Sequence, residues 1–429
     1  MAIVLLLSFL FFVSLGVPIA FAIGVAAIFA FLFQGSLPLT LVPQRMFVVL
    51  DGFTLLAVPF FMLAGELMES GGITQRLIKF SSSLIGHFRG GLGMVSIVAS
   101  MIFAGISGSG IADTAAIGVI LIPAMIHKGY PKGFVASLQA SAGSIGPIMP
   151  PSILMIIYCS ITSLSIGKMF LAGFVPGLML GLFLIVIVYV FSRLPGYEAI
   201  EVEKPSSLAE ILISLKESFG ALMAPVIIIG GIVSGIFTAT EAGAIVAVYA
   251  FILGFFVHRE LKLRDLKKVF TRAAMLTATF MFIVSVANIF GWILARERFA
   301  EVSRNLIFSI SENPNITILL VLLFLLIVGC FVEITAATII LAPILRSIGD
   351  FLGFDPIHFG LIVVIVLGMG GLTPPIGALL FVSCGIADCS IIDASKYLLP
   401  FLLASIFVVI IITYFPGIVL FLPRLMFPS

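Results

Sequence analysis

The sequence of 429 residues is 61% hydrophobic and only 10% charged, with a mean hydropathy of +1.32. That is far too little polar surface to cover a soluble fold of this size, so the chain reads as an all-α polytopic membrane protein. A formal net charge of +2, from 22 basic and 20 acidic residues, leaves no nucleic-acid footprint and makes the basic residues markers of topology.

The first basic residue is Arg45, so Met1 to Phe33 lacks the basic start of a secretory signal and reads as mature membrane helix. This run carries Gly16-Val17-Pro18 in its middle, long for one crossing and short for two. Met46 to Glu69 reads as one clean span. Gly71 to Gly91 is more polar, and Ile73, Leu77, Phe80 and Leu84 suggest an amphipathic interfacial helix. Leu92 to Ala104 and Thr114 to Ile126, about 13 residues each, are too short to span at about 1.5 Å per residue. They predict a re-entrant hairpin with its tip at Ser107 to Asp113. Phe134 to Ile145 and Ile153 to Ser163 flank a second break at Gly146 to Ser152, and Met169 to Phe191 is a full span.

Ser192 to Ser218, with Pro195-Gly196 and several glutamates, is the only extended polar stretch and reads as a linker between two halves. The plan then recurs. Leu222 to Val257 is interrupted at Gly235 to Glu241, a basic loop follows from His258 to Arg272, and a span ends near Leu294. After a polar segment with Arg296, Arg298 and Arg304, Ile316 to Phe331 and Thr335 to Leu345 form a second short pair. Phe359 to Met369 and Ile376 to Ile386 flank a second break, and Ala394 to Tyr414 closes the plan. Asp113 to Pro123 stands against Glu333 to Pro343, each with an acid first, a Thr-Ala-Ala and a proline eleventh. Pro150-Pro151 stands against Pro374-Pro375 and Pro176 against Pro400, both at an offset of 224.

With five crossings and one hairpin per half, the second copy is inverted. Loop charge fits that arrangement: 15 of the 22 basic residues fall on one side, which the positive-inside rule makes cytoplasmic, and 7 on the other. The first hairpin then enters from the cytoplasm, the second from outside, and both termini lie outside.

Irregular backbone survives in lipid only where it lines a cavity or is buried in protein, and an acid such as Asp113 at that depth costs roughly 2.5 to 3.5 kcal/mol. Two hairpin tips and two broken helices converging near the midplane supply what an ion-coupled carrier needs. Carbonyls at half-helix C-termini, with hydroxyls, ligate Na⁺, and N–H groups at N-termini hold an anion. The oxygen donors are Ser107, Ser109, Asp113, Thr114, Ser141, Ser144 and Ser152 in the first half, and Glu333, Thr335, Thr338, Thr373 and Ser383 in the second. Gly105, Gly108, Gly110, Gly146, Gly370, Gly371 and Gly377 allow close backbone approach. Any one serine or glycine also has a packing role open to it, and Asp113 and Glu333 a role as helix N-caps. Glu241 and Asp388 stay open between function and structural contact.

Gly105-Ile106-Ser107-Gly108 fits the GxSG nucleophile pattern of intramembrane proteases. A serine nucleophile needs a base in reach, and His87, His127, His258 and His358 all lie in loops or at span ends. No ring of charge or filter suggests a channel. The cysteines Cys159, Cys330, Cys384 and Cys389 have no metal-ligand spacing and read as small hydrophobes.

Leu15-Gly-Val-Pro-Ile-Ala-Phe-Ala, Phe103-Ala-Gly-Ile-Ser-Gly-Ser-Gly-Ile-Ala-Asp-Thr-Ala-Ala, Gly146-Pro-Ile-Met-Pro-Pro-Ser, Phe237-Thr-Ala-Thr-Glu-Ala and Gly371-Leu-Thr-Pro-Pro-Ile-Gly resemble recurrent segments of the large membrane subunit of TRAP transporters, the tripartite ATP-independent periplasmic family. The resemblance covers essentially the whole chain. It implies an elevator-type transporter of the bacterial inner membrane, taking up an organic carboxylate of the sialic acid or C4-dicarboxylate type on the Na⁺ gradient. A periplasmic binding protein would deliver the substrate, and a small four-helix membrane subunit, expected as a separate chain, would complete the complex. Two or more Na⁺ ions would be held by Ser107, Gly108, Asp113, Gly146 and Pro150 and by Glu333, Thr335, Thr338, Gly371 and Thr373. The substrate would meet Ser107, Ser109, Ser144, Ser152, Thr373 and Ser383. Glu333 departs from the aspartate of some members. The implied division is scaffold and arm at 1–91, transport elements at 92–168, a closing helix at 169–191 and the linker at 192–218. The second half follows with scaffold and arm at 219–314, transport elements at 315–391 and a closing helix at 392–429. The alternative is a stand-alone Na⁺/divalent-anion or citrate-type carrier that works without a binding protein.

Overall fold

The computed structural model describes every residue except 36, 195–203, 300, 303–304, 306–312, 375–376 and 428–429. The described residues are helical and contain no strand. The overlong first run bends where expected: α1 (Ala2–Ser14) and α2 (Ile19–Gln34) fold back on each other about Gly16, whose φ of 77° belongs to glycine. The expected single span from Met46 to Glu69 is instead divided into α3 (Leu41–Leu50), a 3₁₀ turn (Phe53–Leu56) and α4 (Ala57–Ser70). The break falls at Asp51-Gly52, where Gly52 is extended, a stop that apolar content alone does not reveal. The arm is α5 (Ile73–Ile85). Ile73 and Leu77 are buried, but Leu84 is 38% exposed, so the apolar stripe leaves the surface of the protein after its second turn.

The first hairpin is α6 (Gly91–Ser107) and α7 (Gly110–His127), followed by α8 (Lys132–Gly143), α9 (Ile153–Thr162) and the long α10 (Ile166–Phe191). Its arms are 17 and 18 residues long, not 13, because Gly105 to Ser107 continue the first helix and Gly110 to Asp113 already belong to the second. The turn needs only Gly108, left-handed at φ 62°, and Ser109, the extended N-cap of α7. The polar linker is likewise shorter than 192–218. α11 (Leu208–Val233) begins inside it on a Ser207–Glu210 capping box, while Pro195-Gly196 lies outside the described residues.

The second half repeats the order: α12 (Ala239–Ile252) with a π turn at Leu253–Val257, then α13 (Leu263–Arg296), a hairpin of α14 (Pro314–Phe331) and α15 (Ile334–Phe351), α16 (Pro356–Gly370), α17 (Ala378–Ala387) and α18 (Ile391–Tyr414). Arg304, Pro375 and Ile376 lie outside the described residues. A further short helix, α19 (Pro416–Met426), packs on α10 and has no counterpart in the sequence reading. Nine helical segments among the described residues are long and apolar enough to cross a membrane, three of the four hairpin arms included.

The repeat register differs from the one read off the acids. Adding 224 to the bounds of α7 gives those of α15, and Lys132 and Pro356 open α8 and α16 at the same offset. Asp113 therefore does not correspond to Glu333: Ser109 does. The acid-to-acid match is displaced by one helical turn, a slip that keeps the same residues on the same helix face and so leaves the apolar pattern nearly unchanged.

Two clusters of contacts organise the helices. α2, α3, α4, α12 and α13 pack together, with α11 and α5 along one side. The hairpins and broken helices of both halves interlock: α8 against α17 and α18, α7 against α17, α14 against α16, α9 against α15. α13 and α15 meet across the boundary. Lys79–Glu217 at 2.7 Å and Arg76–Glu260 at 2.6 Å hold the arm to the first cluster.

Candidate functional site

The tip of the first hairpin is stitched into the first break by backbone. The Gly108 carbonyl accepts from the N–H of Ile153 at 3.2 Å, and a Cβ on Gly108 would come within 2.4 Å of the Pro151 carbonyl oxygen. Gly146 presses equally close: its Cβ would lie 2.5 Å from Asp113 Oδ2 and 2.7 Å from the Gly110 nitrogen. Only glycine permits that approach. In the second half, Gly370 meets Gly329 of α14, where a Cβ would lie 2.4 Å from the Gly329 Cα.

Asp113 sits in the first turn of α7, fully buried. The Ser107 hydroxyl donates to its Oδ1, and Ser107 Oγ in turn accepts from the Ser109 N–H at 3.1 Å. Its other oxygen, Oδ2, has no hydrogen-bond partner among the described residues. A buried carboxylate oxygen without a donor calls for a cation or a proton, so the residues at this tip fit a small monovalent cation. Glu333 is half-buried and caps α15, accepting from the Ala336 N–H at 2.9 Å.

Both hairpin tips line one cleft, with Gly108, Ser109 and Gly110 from the first and Glu333, Ile334 and Thr335 from the second. Pro147 and Ile153 of the first break, Leu379 of α17 and Phe280 of α13 complete it. At about 50 Å³ the cleft has the room of a cation or one or two waters, not of an organic acid. Further along the same seam between α13 and α15 lies a cavity of about 650 Å³, bounded by Gly291, Leu294 and Arg298 on one side and Ile340, Pro343 and Ser347 on the other.

Of the remaining expected residues, several face elsewhere. Ser144 and Ser152 turn their hydroxyls back onto the Ser141 and Pro147 carbonyls, both at 2.7 Å. Thr114 and Thr338 bond the carbonyls of Gly110 and Ile334 one turn back, and Ser141 bonds Ser137. Thr373 donates to the Gly370 carbonyl at 2.9 Å and touches Cys330 Sγ at 2.8 Å. Ser383 is buried on α17 with no partner among the described residues. Gly371 and Pro150 contribute backbone only, the former accepting from the Leu379 N–H at 3.0 Å. Glu241 and Asp388 have structural places: Glu241 closes a capping box with Thr238, and Asp388 ends α17 in the left-handed region beside Lys132. His358 is buried, but its Nε2 is engaged 2.7 Å from the Ile412 carbonyl. Phe280 and Leu379 carry no signal in the sequence, since they are apolar residues among apolar residues.

A family model described as "Tripartite ATP-independent periplasmic transporter, DctM component" matches residues 6–418. The chain is 40% identical over 380 residues to the C4-dicarboxylate TRAP transporter large permease protein DctM of Pseudomonas aeruginosa, covering 89% of this chain and 88% of that one. It is 38% identical over 410 residues to the sialic acid TRAP transporter large permease protein SiaM of Vibrio cholerae, covering 96% and 95%. It is also 40% identical over 413 residues to the isethionate TRAP transporter permease protein DctMQ of Oleidesulfovibrio alaskensis, covering 96% of this chain but spanning only 65% of that protein. Among solved structures, the YdaH transporter of Alcanivorax borkumensis matches with a TM-score of 0.52 at 15% identity over 88% of each chain, a likeness of fold.

Proposed function

The chain belongs to the DctM component family of tripartite ATP-independent periplasmic transporters, and from that premise we propose that it moves an organic anion across the bacterial inner membrane on the Na⁺ gradient. The observation that carries this reading is the convergence of both hairpin tips on one cleft, with an orphaned carboxylate oxygen of Asp113 in the first turn of the helix that Gly110 of the cleft opens. A cation there would satisfy Oδ2 and the half-helix carbonyls, and the ion would help to hold the anion. The substrate is of the organic-acid type for which the relatives are named, sialic acid or a C4-dicarboxylate in two of them. It would occupy the larger cavity along α13 and α15, the cleft itself having room only for the ion.

In this reading the interlocked elements at 92–168 and 315–391 move as one body past a scaffold of 1–91 and 219–314. A soluble periplasmic binding protein would load the site. A small membrane subunit would dock on the scaffold as its own chain, although the DctMQ relative is longer than this one. Both termini would face the periplasm.

Uptake by the chain in proteoliposomes, together with its small subunit and binding protein, should follow an imposed inward Na⁺ gradient. Uptake that persists when the gradient is collapsed would refute the coupling. Uptake undiminished without the binding protein would favour a stand-alone carrier.

A further inference from the structure

We propose that Arg45, Trp292 and Arg296 form a binding site for the phosphodiester headgroup of an anionic lipid at one end of the α2, α3 and α13 cluster. Both guanidinium groups converge on a single indole: Arg45 Cζ lies 5.1 Å and Arg296 Cζ 5.6 Å from the Trp292 ring centroid. The shared ring brings the two planar forks to one place, and a guanidinium fork matches the paired oxygens of a phosphate. Phe31, 1% exposed, stacks on Trp292 at 5.9 Å and fixes the ring as a platform.

Among the described residues no carboxylate balances the pair. Among the described residues neither arginine takes part in an ion pair. Glu297, next in sequence to Arg296, is engaged 3.2 Å from the amine of Met1. Glu301, one turn further on, lies beside Arg298 at 4.0 Å. Two like charges held together near an apolar surface repel unless an anion joins them.

The surroundings choose the source of that anion. Phe33, two residues beyond Phe31 on α2, is 71% exposed, and Phe47, two residues beyond Arg45 on α3, is 73% exposed. A tryptophan with apolar flanks and basic neighbours at the ends of spanning helices has the composition of the membrane–water boundary, where headgroup phosphates lie. A soluble anion gains nothing from those exposed phenylalanines, whereas a lipid covers them with its acyl chains. This site is independent of the transport reading.

Trp292 is the only tryptophan in the chain, so its fluorescence reports the site directly. The purified full chain, in a maltoside detergent that carries no phosphate, would be titrated with phosphatidylglycerol, phosphatidylcholine, diacylglycerol and glycerol phosphate. Phosphatidylglycerol should shift the emission with an affinity about tenfold or more above the other three, and Arg45→Gln with Arg296→Gln should remove that preference. Thermal unfolding of the double variant at the parent's midpoint shows that the platform is intact. The paired Arg45→Lys and Arg296→Lys substitutions should retain a weaker preference, because charge remains while the planar fork is lost. Equal affinity for phosphatidylcholine or diacylglycerol would overturn the site, as would a double variant that still prefers phosphatidylglycerol. A response to glycerol phosphate as strong as to the lipid would overturn the lipid source.

Discussion

Ser109 and Glu333 occupy the same place in the two hairpins: each stands immediately before the second arm and accepts from the backbone N–H three residues on, at 3.5 and 2.9 Å. The acid of the first hairpin is therefore a turn deeper than the acid of the second. Asp113 is buried and half-orphaned, whereas Glu333 already spends an oxygen on its helix.

That difference separates two substitutions. Asp113→Asn removes the charge with little change in volume and should weaken the Na⁺ dependence of uptake by about tenfold or more. Glu333→Ala should cost about 1 kcal/mol of stability through the lost cap, together with a smaller loss in Na⁺ response. Na⁺ titrations of uptake beside thermal unfolding distinguish them, and an Asp113→Asn titration that overlays the parent would refute the cation assignment. Ser107→Ala removes the donor to Oδ1 and should shift the titration in the same direction.

The glycine contacts predict a sharp contrast. Gly146→Ala places a methyl 2.5 Å from Asp113 Oδ2 and should cost about 1 to 3 kcal/mol, with uptake reduced. Gly230 lies in α11 with nothing within 4 Å of its Cβ, so Gly230→Ala should be neutral or stabilising by up to about 1 kcal/mol. Melting temperatures of the two variants in one detergent test the pair.

Asp388 should prove structural. Its contact with Lys132 is exposed and 3.4 Å long, worth about 0 to 1 kcal/mol. Asn adopts the left-handed backbone readily, so Asp388→Asn should leave both stability and uptake close to the parent. Asp388→Val forces a branched side chain to φ 50° and should destabilise by about 1 to 2 kcal/mol. A large uptake defect in Asp388→Asn would overturn this.

His258 connects pH to the grip on the arm. Its Nδ1 lies 3.1 Å from the Gly71 carbonyl, and partial burial, with Arg76 nearby, holds the imidazole below its ordinary value of 6.5. The unfolded chain then binds the proton more readily than the folded one. Stability is full above about 6.5 and falls as the pH drops below it toward the depressed folded value. Thermal unfolding followed from about pH 8 to about pH 5 should show this decline, and His258→Gln should flatten it.

The breaks were readable because glycine and proline punctuate an apolar chain: Gly16 to Pro18 and Gly146 to Ser152 interrupt helices where they stand in sequence, and the break that begins at Gly235 ends at Thr238, with Ala239 and Thr240 already helical. The division at Asp51-Gly52 was not, since a lone glycine after an aspartate is a weak stop. Hairpin length was underestimated because Gly105 and Ser107 look like breakers, yet they stay helical against the first break and α11. The relation between the acids failed for a different reason. One helical turn of slip preserves apolar spacing, and only the turns themselves, at Gly108 and Val332, fix the register. Which donors face the cleft was equally hidden, because Ser144, Ser152 and Thr338 find carbonyls on their own segments.

The halves match closely from the hairpins onward but not before them. Where the second half runs α13 as one rod of 34 residues, the first divides the matching stretch into α3, a 3₁₀ turn and α4. For a carrier that exchanged its two faces by a perfect internal twofold, the two end states would be mirror images in energy, evenly populated before any ligand bound. A stiff strut on one side and a jointed one on the other removes that degeneracy. In a carrier of the proposed kind, the resting balance between the two orientations would thus be written into the framework itself, and an ion gradient would act on an equilibrium that was never level.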